Sequence, residues 1–371
     1  LIKIFNRTQY EKDRFENANE DLMYASLKAI NLIIKMGPTV MIIVNLSIIT
    51  ILWFGGKMVL NNEIKVGEII AFINYLMIVL ISLMMVSNLF IFISRAGASI
   101  ERINEILKIP FYEKMEERKF KNPSHIKGII EFKNVSFSYD GTFFLKNISF
   151  KIENGQTIGI IGTTGSGKTT LLNLIANLYQ STSGEIMIDG INIEKIDPCV
   201  LRQIIGFVTQ DILIFSGTIR EIMKWANESA TEEEIIFALK ISQIYDFIQT
   251  LPDGLDTFIG QKGVNLSGGQ KQRLTIARAI VKKPKILILD DCTSSVDFIT
   301  EKKIFSELKE KLKDITKIIV TPRIFTIINA DKILVLDKGE ILGIGTHKEL
   351  LENCKIYKEI YETQLGENVN V

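Results

Sequence analysis

A glycine-rich run that starts at Gly162 holds the residues best suited to bind phosphate. The run reads Gly162-Thr163-Thr164-Gly165-Ser166-Gly167-Lys168-Thr169 and is followed by Thr170. An apolar strand predicted at 158–161 leads into it and a helix predicted at 169–178 follows, which is the context of a phosphate loop. Glycines let backbone N–H groups converge on phosphate oxygens, and the helix N-terminus adds a favourable dipole. We therefore predict a nucleotide site in which Lys168 reaches the β- and γ-phosphates and Thr169 ligates Mg²⁺.

Two acidic residues follow a second apolar strand, predicted at 286–289. Asp290 stands at the carboxyl end of that strand, where a carboxylate can meet Mg²⁺ directly or through water. The alternative interpretation of Asp290 is a helix N-cap. Asp291 comes next, at the position where hydrolysis needs a base to orient the attacking water. This strand end is therefore a candidate for both the metal site and the catalytic site.

Composition limits the classes of function. The 371 residues suffice for two domains of ordinary size, and the formal net charge of +1 gives no indication of nucleic acid as a partner. The three cysteines, Cys199, Cys292 and Cys354, are far apart and fit no metal spacing. Unpaired thiols in a reducing cytosol are the simplest interpretation, and a metal site built from protein ligands alone is not indicated.

Two apolar stretches, 36–56 and 69–94, predict helices that cross a membrane. Each is long enough for roughly 30 Å of hydrocarbon, which takes about 20 helical residues. A pair of buried core helices is the alternative. Basic residues lie on the outer flanks of the pair, at Lys3, Arg7, Lys12, Arg14, Lys28, Lys35, Arg95 and Arg102. We therefore predict a multi-pass protein of the cell membrane, with both flanks cytosolic and the 57–68 turn outside.

The start of the chain, the linker and the second domain are predicted from local composition and from apolar runs. The chain does not begin with methionine and shows no signal peptide, so we expect a membrane domain that lacks its front. A helix over 95–108 is expected to leave the membrane, and 109–127, rich in Glu and Lys, is predicted to be a linker. From 128 onward, continuous apolar strands such as 318–320 alternate with helices, which predicts a parallel sheet of the α/β class.

A second glycine motif completes a resemblance to a known family. Leu266-Ser267-Gly268-Gly269-Gln270 opens a predicted helix, and with the phosphate loop it makes the chain resemble the ABC transporters of exporter type. Residues 128–365 resemble the nucleotide-binding domain, with 366–371 as a tail, and 1–108 resemble the end of the transmembrane domain. The resemblance implies a partial α-helical transmembrane domain, with its last two membrane helices, joined to an α/β phosphate-loop domain. An antiparallel β subdomain and a helical signature subdomain are implied within the latter.

The resemblance also implies roles for these residues, with ATP and Mg²⁺ as cofactors. The motif from Ser267 to Gln270, including the amides of Gly268 and Gly269, binds the γ-phosphate of an ATP held by a partner domain. A plain glycine-rich helix start is the alternative.

Three further residues take roles from the resemblance. Tyr139 is expected to stack on adenine, Gln210 to contact Mg²⁺, and Asp297 to belong to the D-loop, 294–297, at the dimer interface. A plain strand tyrosine and a solvated loop residue are the alternatives for the first two. Residues 6–15 resemble a coupling helix that docks on the opposite nucleotide-binding domain.

Two positions depart from the family pattern. Competent sites have glutamate where Asp291 stands and histidine where Pro322 stands. Loss of a positioned base costs about 10²–10⁴ in rate, and proline has no side-chain group to contact the γ-phosphate. We therefore expect a degenerate, hydrolysis-poor ATP site beside an intact signature motif.

This combination predicts one subunit of a heterodimeric exporter, whose partner is a second, unlike half-transporter. The alternatives are a nucleotide-sensing regulatory subunit without transport, a slow homodimeric exporter, and a non-functional remnant. The sequence does not indicate the transported substrate. Four polar residues at membrane depth suit either a substrate pathway or inter-helix hydrogen bonds: Asn45, Asn74, Ser82 and Asn88.

Overall fold

The computed structural model describes residues 2–108, 126–139 and 141–365, with a few side chains of the first two helices left out. The chain divides into two compact units, Leu1–Glu113 and Lys114–Val371. The predicted linker at 109–127 lies outside the described residues except for its last two, and the predicted tail at 366–371 lies wholly outside them.

The first unit consists of two long helices, α1 (Thr8–Leu60) and α2 (Val66–Leu107). Within them, Gly37–Leu60 and Val66–Leu83 are long and apolar enough to cross a membrane, with mean hydropathies of 2.0 and 2.2. The structure narrows the predicted 57–68 turn to residues 61–65, because α1 continues through Lys57. The predicted 95–108 helix is the uninterrupted end of α2.

The two helices approach each other closely near the turn. A Cβ atom on Gly55 would lie 3.0 Å from Cδ1 of Ile69. Among the described residues of this unit, Ile69 is the one apolar side chain that is buried. Elsewhere four described hydroxyl groups donate to the carbonyl oxygen four residues earlier in their own helix: those of Thr39, Ser47, Thr50 and Ser82. Ser82, a candidate for an inter-helix bond or a pathway, donates to the Ile78 carbonyl at 2.8 Å. The side chain of Asn88 is outside the description.

The second unit is built on a six-stranded sheet in the described part of the chain. Its strands are β3 (Thr157–Gly162), β6 (Ile205–Val208), β9 (Ile286–Asp290), β10 (Thr316–Val320), β11 (Lys332–Asp337) and β12 (Glu340–Gly345). Their order is β12-β11-β3-β10-β9-β6, and every pairing is parallel except β11 with β12. Strands β9 and β10 are buried along their whole length, as expected for continuous apolar runs. The predicted parallel sheet is confirmed.

An antiparallel sheet and a small ribbon complete the strands. They comprise β1 (Ile130–Tyr139), β2 (Thr142–Ile152), β4 (Ser183–Ile188) and β5 (Ile191–Asn192), in the order β2-β1-β4-β5, and the ribbon β7 (Gly217–Thr218) with β8 (Phe258–Ile259). Strand β1 therefore lies between β2 and β4. This antiparallel sheet is the β subdomain that the sequence led us to expect.

Helices cover the parallel sheet and form the signature region. They are α3 (Lys168–Ile175), α4 (Pro198–Ile204), α5 (Ile219–Lys224), α6 (Glu232–Ile241), α7 (Tyr245–Gln249), α8 (Gly268–Val281), α9 (Phe298–Lys311), α10 (Ile324–Ile327), α11 (His347–Asn353) and α12 (Lys355–Leu365). Helix α3 ends earlier than the predicted 169–178, because Asn177 adopts the left-handed conformation with φ of +50°. Its N–H bonds the Leu174 carbonyl at 3.0 Å, which closes the helix.

Candidate functional site

Four adjacent parallel strands end at the same edge of the sheet. Val320 of β10 pairs with Ile160 of β3 on one side and with Asp290 of β9 on the other. Strand β6 lies beyond β9, where Val208 pairs with Leu289. The segments that follow these strands carry the phosphate loop, Pro322, Asp290 with Asp291, and Gln210. The fold thus brings together residues that are far apart in the chain, at the edge where open α/β sheets bind ligands.

The backbone of the phosphate loop requires its glycines. A Cβ atom on Gly162 would lie 1.9 Å from the Leu336 carbonyl oxygen, and Gly167, with φ of +101°, would bring one within 2.7 Å of Leu145. Gly165 also has a positive φ, of +79°, and its Cβ position faces open space. Such a loop lets its backbone approach a phosphate group closely.

Side chains fix the shape of this loop. The Thr163 hydroxyl donates to Oδ1 of Asp337 at 2.7 Å, and the buried Ser166 donates its N–H to the Thr163 carbonyl at 3.2 Å. Thr164 is exposed at the tip. The loop is therefore held at its base and open at its tip.

Lys168 lies folded against the loop that it follows. Its Nζ donates to the carbonyl oxygens of Gly162 at 3.0 Å and Thr163 at 2.7 Å. Burial lowers the pKa of Lys168, and the carboxylates of Asp290 and Asp291 oppose that shift. The ammonium group is thus centred between the loop and the acidic strand end.

Thr169 and Asp290 form a pair of oxygen ligands. The Thr169 hydroxyl donates to Oδ2 of Asp290 at 3.0 Å. Asp290 is buried, and burial raises its pKa while the hydrogen bond from Thr169 lowers it. A hydroxyl and a carboxylate are hard oxygen donors of the kind that Mg²⁺ prefers, so these residues fit the metal of a nucleotide complex. Gln210 is exposed in the loop that follows β6.

Asp291 adopts an unusual backbone conformation directly after the strand. Its φ is +44°, and its N–H donates to the Val320 carbonyl at 2.8 Å. Burial raises the pKa of Asp291, whereas the nearby Arg323 guanidinium lowers it. Pro322 has no side-chain donor and no N–H, so only its carbonyl can take part in hydrogen bonds.

Tyr139 lies at the end of β1 in an aromatic cluster. Its ring contacts Phe137, Phe144 and Tyr179 edge to face, with centroids 4.7, 4.9 and 5.5 Å away. Burial raises its pKa, and a hydrogen bond with the Thr170 side chain lowers it. That bond places the half-buried ring beside the first turn of α3, which directly follows the phosphate loop.

The second glycine motif caps helix α8. Ser267 is its N-cap: the Ser267 hydroxyl accepts from the Gln270 N–H at 3.3 Å, and Gln270 Oε1 accepts from the Ser267 N–H at 2.8 Å. A cleft of about 550 Å³ opens in front of this cap. Its lining residues are Ser267, Gly268, Gly269, Arg273, Ser295, Val296 and Asp297. Within the described chain, this lining includes none of the phosphate-loop residues.

The D-loop packs directly on the glycines of the signature motif. A Cβ atom on Gly269 would lie 2.8 Å from the Ser295 carbonyl oxygen, so only glycine fits there. Asp297 caps α9, because its Oδ1 accepts from the Thr300 N–H at 3.0 Å, and that bond lowers its pKa. The N-termini of α8 and α9 therefore both border the cleft, which favours an anionic group.

Two family models match this chain. One, described as ABC transporter, matches residues 145–294, and the other, described as ABC transporter transmembrane region, matches residues 1–84. The chain belongs to the ABC transporter family. It is a membrane-embedded protein whose nucleotide-binding domain lies in the cytosol.

Relatives of this ABC transporter chain match nearly all of it. The ABC transporter ATP-binding protein YfiB of Bacillus subtilis (strain 168) is 43% identical over 368 residues, 99% of this chain and 63% of that protein. The ATP-dependent lipid A-core flippase of Syntrophus aciditrophicus (strain SB) is 34% identical, over 99% of this chain and 61% of that protein. A solved bacterial Atm1-family ABC exporter with ATP bound has a TM-score of 0.88 and 30% identity, covering 98% of this chain and 64% of that one. This ABC transporter chain thus spans less than two thirds of the length of these relatives.

Sequence reasoning missed a buried ionic network beside the site. Glu301 is 1% exposed and accepts hydrogen bonds from the Thr293 hydroxyl at 2.7 Å, the Thr326 hydroxyl at 2.9 Å and Arg323 Nη1 at 2.7 Å. Arg323 Nη2 also donates to the carbonyl of Ser294 at 3.1 Å, which ties the Pro322 segment to the D-loop. In the sequence, Glu301 looks like an ordinary acidic residue in the first turn of a helix. The signal that was available is the arginine next to Pro322.

The same network reaches the signature helix. Gln272 of α8 is buried; its Nε2 donates to the Ser294 hydroxyl at 2.8 Å, and its Oε1 accepts from the Ser295 N–H at 2.8 Å. Side chains therefore connect α8, the D-loop and the Pro322 segment within one chain.

Proposed function

We propose that this chain is a subunit of an ATP-driven ABC exporter whose own site binds Mg-ATP but hydrolyses it slowly. Its signature motif completes the ATP site of a second half-transporter, and closure over two ATP molecules drives alternating access across the bilayer. One observation carries the proposal: the intact Thr169–Asp290 pair lies at the same sheet edge as Asp291 and Pro322.

The binding residues divide the nucleotide between them. Lys168 leaves its loop carbonyls for the β- and γ-phosphates, and Thr169 and Asp290 hold Mg²⁺ with help from Gln210. Mg²⁺ bound there would neutralise part of the phosphate charge. Tyr139 stacks on the adenine ring. ATP held in this way clamps the dimer on the side of this chain.

Slow hydrolysis follows from two side chains. Asp291 is one methylene shorter than glutamate, which removes roughly 1.5 Å of reach toward the lytic water. Pro322 supplies no donor for the γ-phosphate. Since a missing base costs about 10²–10⁴ in rate, this site turns over far more slowly than one with glutamate and histidine.

The signature cleft supports an unlike partner. Ser267, the glycine amides and the D-loop form a complete anion-binding cleft that lies apart from the phosphate loop in the lining of the described chain. A purely nucleotide-sensing subunit has no use for such a cleft. A homodimer would pair it with a second hydrolysis-poor site, so a partner with glutamate and histidine fits better.

Steady-state ATPase activity tests this proposal. The transporter is purified as this chain alone and co-expressed with its partner, each with and without Asp291→Glu plus Pro322→His. We expect the chain alone to be nearly inactive, the pair to be active, and the double substitution to raise activity at this site. Ser267→Ala in this chain should abolish most activity of the pair.

The control is Ser306→Ala, which removes the hydroxyl of an exposed serine on α9 that does not line the cleft and should leave the activity of the pair unchanged. Fast hydrolysis by the unmodified chain alone would show that Asp291 suffices as it is, and the degenerate site would have to be abandoned.

A further inference from the structure

The last described helix holds the segment that contains Pro322. The side-chain amide of Gln364 makes two hydrogen bonds to it: Nε2 donates to the Pro322 carbonyl at 2.6 Å, and Oε1 accepts from the Ile324 N–H at 2.9 Å. Both functional groups of one side chain thus bind main-chain atoms two residues apart. Such a pair of bonds fixes the backbone more firmly than either alone.

Helix α12 is itself firmly anchored. Tyr357 is completely buried, and its hydroxyl lies 2.8 Å from Nδ1 of His347. The ring of Tyr361 lies beside His347, with a centroid distance of 5.2 Å. Because positions 357, 361 and 364 follow one another by four and three residues, they share one face of the helix. The anchored face therefore delivers Gln364 to the segment.

The two bonds do not depend on which side chain stands at 322. They involve a carbonyl that every residue has and the N–H of Ile324, whose side chain is fully buried in the core. Between these two residues lies Arg323, which bonds buried Glu301 and the Ser294 carbonyl. A shift of this segment would therefore move the D-loop contact as well.

We propose that Gln364 is a positioning residue for the ATP site of this chain. It holds the backbone of 322–324 in place at the γ-phosphate end, and through Arg323 it holds the D-loop in register with the signature helix. The inference rests on the proposed function, because it takes this segment to face bound nucleotide. It predicts that restoring histidine at 322 is effective only while Gln364 keeps the backbone in position.

Hydrogen–deuterium exchange of the intact transporter, with and without Mg-ATP, tests the contact itself. Gln364→Ala should speed exchange of the Ile324 amide at least about tenfold, the effect of losing one hydrogen bond. In the same variant, exchange over residues 293–297 should also be faster than in the unmodified chain when Mg-ATP is bound. Gln364→Glu keeps the acceptor for Ile324 but loses the donor, so it should protect that amide while exchange over 293–297 rises.

Two control variants separate positioning from general loss of structure. Glu362→Gln changes an exposed ion pair on the same helix, 3.9 Å from Lys358, and should leave both regions unchanged. Tyr357→Phe weakens the anchor of α12 without changing the Gln364 amide. It should therefore lower the melting temperature while exchange at 293–297 stays close to that of the unmodified chain.

A second readout uses the repaired site. With Asp291→Glu and Pro322→His present, adding Gln364→Ala should lower kcat about tenfold and leave KM within about twofold, because binding groups are untouched. Unchanged exchange at both regions would overturn the positioning role, and so would an unchanged kcat in a repaired site that hydrolyses ATP rapidly. If the repaired site stays slow whether or not Gln364 is present, exchange alone decides the positioning role, and the hydrolysis-poor explanation is what fails.

Discussion

At the scale of single residues, the candidate nucleotide site depends on a few short polar contacts between partly buried side chains. The Thr169–Asp290 bond and the Arg323–Glu301 ion pair are the two with the clearest consequences. By our proposal, the first contributes to nucleotide binding, and the second stabilises the structure around that site. The two roles call for different measurements.

Thr169→Ala should weaken ATP binding only in the presence of Mg²⁺. Removing the hydroxyl takes away a metal ligand and the hydrogen bond to buried Asp290, and a bond to a charged group contributes about 1.5–3 kcal/mol. We expect affinity for a fluorescent ATP analogue to fall roughly tenfold or more with Mg²⁺ and to change little with EDTA. Thr169→Ser keeps the hydroxyl and should bind normally. An equal loss with EDTA would rule out a metal-linked role.

Glu301→Gln should destabilise the nucleotide-binding domain. The substitution leaves the Arg323 guanidinium without its carboxylate partner at Glu301, a residue that is only 1% exposed. Breaking a buried ion pair costs about 3–5 kcal/mol. Arg323 is 32% exposed, so we expect the lower end of that range. Thermal unfolding of the full chain measures it. Glu310→Gln, at an exposed position on the same helix, is the control and should have no effect.

At the scale of elements, apolar runs predicted the strands well and the element ends poorly. Strands β3, β9 and β10 lie where continuous Ile, Leu and Val runs indicated, because burial on both faces of a parallel sheet leaves that pattern. Helix α3 ends at Asn177 through a local backbone choice that no periodicity encodes. Contacts such as Gln364 with Pro322 join positions 42 residues apart, and a single sequence carries no signal for them.

The hairpin of α1 and α2 offers a matched pair of glycines. Gly55→Leu should push the helices apart, since its Cβ would already lie 3.0 Å from Cδ1 of Ile69. Gly56→Leu should be tolerated, because no described atom lies within 4 Å of its Cβ position. The melting temperature of the detergent-purified protein should therefore fall for the first variant and stay constant for the second. Equal effects would mean that this contact does not hold the hairpin together.

At the scale of the whole molecule, we propose that the chain provides one half of each of two composite sites. Its described residues include two helices that are long and apolar enough to cross the membrane. The basic flanks of the helix pair predict the orientation: residues 61–65 face outward and the larger unit faces the cytosol. With that orientation, a membrane-impermeant reagent applied from outside the cell should reach residues 61–65 but not the larger unit.

Asn62→Cys in a Cys199→Ser background should react with a membrane-impermeant maleimide in intact cells. Asn62 is exposed in the loop between α1 and α2. The unmodified chain provides the control, because exposed Cys199 belongs to the nucleotide-binding unit and should react only after permeabilisation, while Cys292 and Cys354 are buried. Labelling of Cys199 in intact cells would show that the orientation is the opposite of the predicted one.

The backbone at Asp291 sets a conflict between stability and activity. A φ of +44° is tolerated by aspartate better than by glutamate, whose longer side chain gains nothing locally from a left-handed conformation. Asp291→Glu should therefore gain hydrolysis while losing about 1 kcal/mol of folding stability, visible as a lower melting temperature in the same preparation. If, as we propose, the subunit does not rely on ATP hydrolysis at this site, selection for stability alone favours aspartate at position 291.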